Sequence, residues 1–392
     1  AAPRRRRGPA SPTNGRIAVE DGVASAEPNA AGGRPSLTRT DFSRQPFVLA
    51  WEMTRACNLA CVHCRAEAQL RRHPAELTTA EAKRLIDDIA RFDEPPTLIL
   101  TGGDPMRRPD LIDLIAHATE RGIRATLTPA GTPLASPARL EAARDAGLRR
   151  IAVSLDAPTA AAHDAFRRVS GSFGWTMAIV RNAHALGLPV QIHTTLSRRT
   201  TDDLPAMADL ADRLGAVVWA VFCLVPTGRA RIEDELTADE YERMFAWLHE
   251  RSASAGWMLK LTEGQHYRRV AAQRGQQSMP GFGFAGGDGI GRAPMTVNSG
   301  NGFCFVSHTG EVCPSGFLPV AVGNVREASV VELYRDHPVF RQLRDPALLH
   351  GKCGRCPFKR LCGGSRSRAF AHTGDYLAAD PACAYEPPLP AA

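Results

Sequence analysis

Three cysteines fall within eight residues, CNLACVHC, from Cys57 to Cys64. Cys57, Cys61 and Cys64 are separated by three and then two residues, a spacing that wraps one short loop around a single corner of a metal centre. A tetrahedral zinc site wants a fourth cysteine or histidine, and His63 or His73 is near enough in sequence to serve. A [4Fe–4S] cubane on three thiolates instead leaves one iron with an open position for a substrate or cofactor. Both metal readings stand on these residues. A chance group of structural thiols is the weaker reading, because buried free cysteines rarely fall so close together.

Other residue groups have chemistry to offer. TGGDP (101–105) combines two glycines that bare the backbone, Gly102 and Gly103, with the carboxylate of Asp104. Ser154 and Asp156 form an acceptor pair suited to a ribose or an amine; His193, Thr194 and Thr195 make a polar triplet; Arg229 in LVPTGR is available to an anion. Taken singly, each has a plain structural reading as a turn, a helix cap or a loop.

Their positions give them weight. Apolar runs at 47–54, 97–103, 124–131, 150–158, 189–197 and 217–226 read as strands, and amphipathic stretches such as TTAEAKRLIDDIARF and DDLPAMADLADRLG read as the helices between them. Six strands alternating with helices predict an α/β fold with a parallel sheet, a partial (βα)6 TIM-like barrel spanning 46–258. Chemistry in such folds gathers where strands end, and the cysteine loop and the polar groups all fall there.

Composition narrows the classes. The 392 residues are 44% hydrophobic, enough for a large core, and no run approaches the roughly 18 apolar residues of a membrane span. RRRR at 4–7 has no apolar segment behind it, so no secretory signal is expected, and ten cysteines at metal-ligand spacings suit a reducing cytoplasm. Of the net charge of +7, residues 1–45 contribute +4 from eight arginines and four acids, in a segment whose Ala, Pro, Gly and Ser content predicts a disordered basic tail. The surplus that remains is spread thinly, without a basic stripe interleaved with aromatics, so no nucleic-acid partner is expected.

CxxxCxxC at Cys57, Cys61 and Cys64, followed by GGDP and then VSLDAP on a six-strand half-barrel, resembles the radical S-adenosylmethionine (SAM) enzymes. The resemblance implies that the three cysteines hold a [4Fe–4S] cluster whose open iron is chelated by the amino and carboxylate groups of S-adenosylmethionine. It implies that Gly102, Gly103 and Asp104 bind the methionine amino group, with Asp104 in place of the more frequent Glu, and that Ser154 and Asp156 lie near the ribose and carboxylate. Reductive cleavage would then release a 5′-deoxyadenosyl radical that abstracts hydrogen from the substrate, with a flavodoxin or ferredoxin as the type of reductant.

A second set lies near the C-terminus: Cys353, Cys356, Cys362 and Cys383, complete for a cubane or for zinc. Beside the first set, this region resembles the SPASM or twitch extension of radical SAM enzymes, here 303–392, joined to the barrel by a Gly-rich connection, 259–302. The chain departs from the SPASM pattern at Arg366, where a further cysteine is usual. One auxiliary cluster is therefore expected, two clusters in all. Cys304 and Cys313 are left as structural thiols or a degenerate site, and Cys223 as a core residue.

The end of the chain, from GNVREASVVELYRDHP through KCGRCPFKRLCGGSRSRAFAHTGD to DPAC, resembles the tetrapyrrole-modifying branch, the alternative heme synthases that decarboxylate coproheme propionates and their denitrification relatives. That implies a tetrapyrrole substrate, with Arg229, Arg366 and Arg368 as partners for propionates and His266 and His308 as candidate ligands for a heme iron. Peptide maturases share the architecture, so a peptide substrate is the alternative. A non-catalytic iron–sulfur or zinc protein is a second one, and it leaves GGDP and VSLDAP without a purpose. The irregular glycines of 278–294 fit a mobile connection over the active site, not a dinucleotide fingerprint.

Overall fold

Each of the six apolar runs is a strand in the computed structural model, which describes residues 41–274 and 296–388. Nearly all of the basic tail, and the glycine-rich stretch 278–294, lie outside the described residues. The strands are β1 (Val48–Glu52), β2 (Thr97–Thr101), β3 (Ala125–Leu127), β4 (Arg150–Ser154), β5 (Val190–Leu196) and β6 (Val218–Cys223). Two further parallel strands enlarge the expected six: β7 (Met258–Thr262) pairs with β6, and β8 (Phe303–Val306) pairs with β1. A short antiparallel pair, β9 (Glu311–Cys313) and β10 (Gly323–Asn324), extends the edge at β8, giving the order β10-β9-β8-β1-β2-β3-β4-β5-β6-β7. β7 is hard to see in sequence because MLKLT is short, carries Lys260 and is only half-buried throughout.

Helices fill the connections: α1 (Thr79–Ile89), α2 (Leu111–Glu120), α3 (Pro137–Asp145), α4 (Ala160–Arg167), α5 (Ser172–Ala185), α6 (Leu204–Arg213), α7 (Ala238–Ser252) and α8 (Tyr267–Gln273). The C-terminal segment adds α9 (Val330–Asp336), α10 (Pro338–Arg344), α11 (Gly351–Arg355) and α12 (Arg366–Thr373). The start of α1 shows how sequence sets a boundary. Thr78 Oγ1 accepts the Glu81 amide while the Glu81 carboxylate accepts the Thr78 amide at 2.8 Å, a capping box that stabilises the helix by about 1 kcal/mol. Its Ala82, Leu85, Ile86 and Ile89, spaced three, one and three apart, form the buried stripe.

The sheet has two chemically distinct faces, because successive side chains on a strand point to opposite sides. Leu49, Trp51, Leu98, Leu100, Ile151 and Val153 are fully buried in the apolar layer shared with the helices. Their neighbours Ala50, Ile99, Thr101, Ala152 and Ser154 line a cavity of about 430 Å³, as do residues from all the other parallel strands. A sheet whose eight parallel strands all face one cavity is curled around it. The C-terminal segment is tied to this sheet by the β8–β1 ladder and by Tyr334, whose hydroxyl donates to the Phe42 carbonyl at 2.8 Å. Among the described residues no helix is long and apolar enough to cross a membrane.

Candidate functional site

The cysteine loop leaves the end of β1 and is pinned at both ends. Cys57 N donates to Gln69 O at 2.7 Å and Gln69 N to Arg55 O at 2.9 Å, closing the loop on itself. Below it the Thr54 hydroxyl donates to buried Glu76 at 2.5 Å and receives the Ala56 amide at 3.0 Å. Arg65, inside the loop, reaches back to Glu52 at the end of β1 at 2.8 Å. Burial alone would raise the Glu52 pKa, but Arg65, the His308 hydrogen bond and Arg55 outweigh it and hold the carboxyl at about 2.

Cys57, Cys61 and Cys64 all line the cavity. Each sulfur accepts one N–H: Leu59 N to Cys57 Sγ at 3.3 Å, Arg167 Nη1 to Cys61 Sγ at 3.5 Å, and Ala68 N to Cys64 Sγ at 3.5 Å. Burial pushes the Cys57 thiol up to about 12, so it ionises readily only if a cation takes the place of its proton, as in metal ligation. Three thiols with N–H donors already turned to sulfur fit a three-thiolate cluster. His73 meets His308 edge-on at 5.5 Å, and His63, on the cavity wall, stacks on Phe166 at 4.5 Å.

The TGGDP turn lies flat against this loop. Gly103 N donates to Thr54 O and Asp104 N to Ala56 O, each at 2.7 Å, and a Cβ on Gly103 would stand 2.6 Å from both the Ala56 and Arg55 carbonyls. Only glycine permits that approach. Gly102 and Gly103 line the cavity. Asp104 is placed differently from the expectation: its carboxylate is fully buried and accepts from Thr132 Oγ1 at 2.6 Å, Met106 N at 3.1 Å and Ala130 N at 3.4 Å. It ties the turn after β2 to the loop after β3 instead of facing the cavity.

Ser154 and Asp156 both reach the cavity wall, but the Asp156 carboxylate is committed. It pairs with Arg167 and accepts the Thr195 amide at 2.8 Å. Desolvation raises its pKa, and Arg167, with His63 and His163, more than reverses the rise. Arg167 thus lies between the Asp156 carboxylate and the Cys61 sulfur. Across the cavity, His193 meets Gln191 at 2.7 Å and tilts against Phe222, and burial, helped by Lys260, holds it neutral with a pKa of about 3.

The second set also converges. Cys353, Cys356, Cys362 and Cys383 line one small pocket with Arg269, Lys352 and Lys359 around it. Asp380 N donates to Cys353 Sγ at 3.4 Å and Gly364 N to Cys362 Sγ at 3.3 Å. Four thiols ringed by cations fit a four-thiolate cluster, whose net charge is negative. Cys304 and Cys313 do not line that pocket. Cys313 stands opposite Phe305 in the β8–β9 ladder, so the neighbouring Cys304 points to the other face, into the main core. Both are buried in apolar surroundings, and Cys223 is a core residue that also borders the cavity.

Several expected contacts turn out to be internal. Arg368 is fully buried, donating to Glu235 and Glu263 O at 3.0 Å and to Leu224 O at 2.9 Å. Arg366 donates to the carbonyls of Tyr376 at 3.0 Å and Ala378 at 2.7 Å. Neither is free for a propionate. Arg229 is not part of the cavity wall. His266 is enclosed by Tyr241 and Phe245, and His308 is held by Glu52 at 3.0 Å, so neither is placed to ligate a heme iron in the cavity. In their place the segment after β7 supplies further wall residues, Glu263 and Gln265 in the loop and Arg268 in the first turn of α8. Glu263 has a left-handed backbone (φ 56) and accepts from Ser365 at 2.5 Å and Ser367 at 2.9 Å. The strand-end rule would have found all three had β7 been recognised.

Comparison with known proteins places these features in context. The model of the Radical SAM superfamily matches residues 51–211. The chain is 41% identical to an AdoMet-dependent heme synthase of Nitratidesulfovibrio vulgaris over 92% of its own length and 98% of the relative's. It is 42% identical to one from Methanosarcina barkeri, over 88% and 98%. In fold it is similar to Streptococcus suis SuiB bound to S-adenosylmethionine, with a TM-score of 0.63 at 15% identity, covering 87% of this chain and 78% of that one.

Proposed function

The chain belongs to the AdoMet-dependent heme synthases of the radical SAM superfamily, and from that premise we propose that it decarboxylates propionate side chains of an iron tetrapyrrole inside the cavity. When bound, a [4Fe–4S] cluster and S-adenosylmethionine supply one electron and a 5′-deoxyadenosyl radical that takes a hydrogen atom from the substrate. Cys57, Cys61 and Cys64 hold that cluster. The bare backbone of Gly102 and Gly103 offers polar groups to the methionine end of the cofactor, and Ser154 a hydroxyl to its ribose. Asp156 orients Arg167 toward Cys61. Cys353, Cys356, Cys362 and Cys383 would hold a second cluster, an acceptor for the one electron released when the substrate, having lost its hydrogen atom, gives up carbon dioxide to leave a vinyl group; a flavodoxin or ferredoxin is the type of partner that would deliver the electron for cofactor cleavage.

The observation that carries this reading is the single cavity on which the three thiols, the Gly102–Gly103 ledge and Phe222, Phe303, Phe305 and Phe317 all converge. Aromatic walls suit a flat macrocycle, and the enclosure positions the target carbon and keeps water from a radical. The test is anaerobic titration with coproheme, scored by a Soret shift, with deoxyadenosine and decarboxylated porphyrin as products. A flat titration, and deoxyadenosine release indifferent to porphyrin, would end the proposal.

A further inference from the structure

We propose that Arg268 is the carboxylate anchor of the substrate cavity, holding one propionate of the tetrapyrrole; this rests on the tetrapyrrole reading above. Arg268 is in the first turn of α8 and lines the cavity with Gln265 and Asn298. Other cations on the wall are engaged: Arg65 with Glu52, Arg167 with Asp156, and Arg150 and Lys260 with partners of their own. Arg268 differs in kind. Its guanidinium donates to the main-chain carbonyls of Val297 at 2.5 Å and Leu361 at 3.4 Å, and among the described residues no carboxylate pairs with it.

Two carbonyls fix the plane of a guanidinium without neutralising it, and they leave at least three of its five N–H groups for a ligand. A lone charge in a mostly apolar cavity is unfavourable until an anion joins it, and a carboxylate matches the guanidinium fork in two parallel hydrogen bonds. Glu263 shares the wall without opposing that anion, because its oxygens face the Ser365 and Ser367 hydroxyls and burial favours its neutral form. The substrate class selected is therefore acidic: a macrocycle with a free propionate, in preference to its ester.

There is a competing role. Leu361 precedes Cys362, so the same guanidinium also stands beside the second cysteine set and its charge could serve that cluster. The experiment separates the two. In full-length protein reconstituted without oxygen, Soret titrations with coproheme and with its methyl ester are run on wild type, R268K and R268Q, with the midpoint potential of the second cluster recorded for each. R268Q is expected to weaken the acid about 10- to 100-fold and the ester less than about twofold, with R268K between. Acid affinity unchanged in R268Q, or weakened equally for acid and ester, overturns the anchor; unchanged affinity with a shifted potential assigns the residue to the second cluster. Should R268Q not fold, wild type alone decides: the acid is expected to bind more tightly than the ester by a similar factor, and equal affinities overturn the inference. Wild-type protein that binds neither porphyrin removes the tetrapyrrole reading and the anchor with it, whereas failure of the anchor alone leaves coproheme binding intact.

Discussion

Arg167 Nη1 lies 3.5 Å from Cys61 Sγ, and the other end of the same guanidinium is paired with Asp156, so one buried cation bridges a carboxylate and a cysteine sulfur. Both members of the pair are less than a tenth exposed. Arg167→Gln leaves Asp156 buried without a counter-charge and is expected to destabilise the fold by about 3–5 kcal/mol. Thermal melts and iron analysis check it. A variant as stable as wild type, with full iron, would show the pair to be incidental.

Iron should divide between the two cysteine sets. With Cys57, Cys61 and Cys64 all replaced by Ala, iron is expected to fall from about eight to about four per chain, with loss of deoxyadenosine formation. Cys356→Ala should do the converse, sparing cleavage of S-adenosylmethionine while abolishing turnover of porphyrin.

Gly103→Ala tests the ledge. The added methyl would stand 2.6 Å from two carbonyls of the cysteine loop, which must then shift. Loss of iron from the first site, with the second retained, is the expected analytical result; a variant with a full complement at both would mean the loop is softer than its packing implies.

Arg368→Met provides a contrast with Arg268. Its guanidinium bonds Glu235, Glu263 O and Leu224 O in the interior, so removal should cost about 3–5 kcal/mol, read as a lower melting temperature. Protein that remains folded should bind coproheme with unchanged affinity, because the residue does not touch the cavity.

Acid should loosen the fold before carboxylates begin to protonate. Burial, the largest cause, lowers His163 and His266 to about 4. Below the unfolded value of about 6.5 the unfolded chain binds protons that the folded one refuses, so their contribution is intact above that pH and shrinks as pH falls toward 4. Between pH 7.5 and 5.5 the two together should remove about 3 kcal/mol. Thermal melts at those two pH values give the comparison, and His266→Asn should flatten it in part.

The strands and the cysteine loop were legible because both are local signals: a period of two residues in one case, close spacing in the other. Side-chain direction was not. Asp104 follows a glycine pair at a strand end, where an exposed carboxylate is expected, yet it turns inward because Thr132 and the Ala130 amide arrive from a loop some 25 residues later. Arg366 and Arg368 sit in a basic stretch that suits an anion site, and nothing nearby in sequence announces Glu235 as the internal partner of Arg368. Arg268 was overlooked for the opposite reason, since a half-buried strand with a lysine in it hid the strand end that places it.

The β8–β1 ladder joins Val48 to Phe303 and Trp51 to Val306, segments separated by about 250 residues of chain. Loop-closure entropy makes so distant a pairing slow to form, so a chain emerging from the ribosome holds β1 with one side unpaired through most of its synthesis. An unpaired strand edge is adhesive. The segment carrying the second cysteine set therefore also serves as the closing clasp of the strand that carries the first. Shortening the protein at its C-terminal end would expose a sticky edge beside the cysteine loop, and the barrel is not expected to survive as a separate piece.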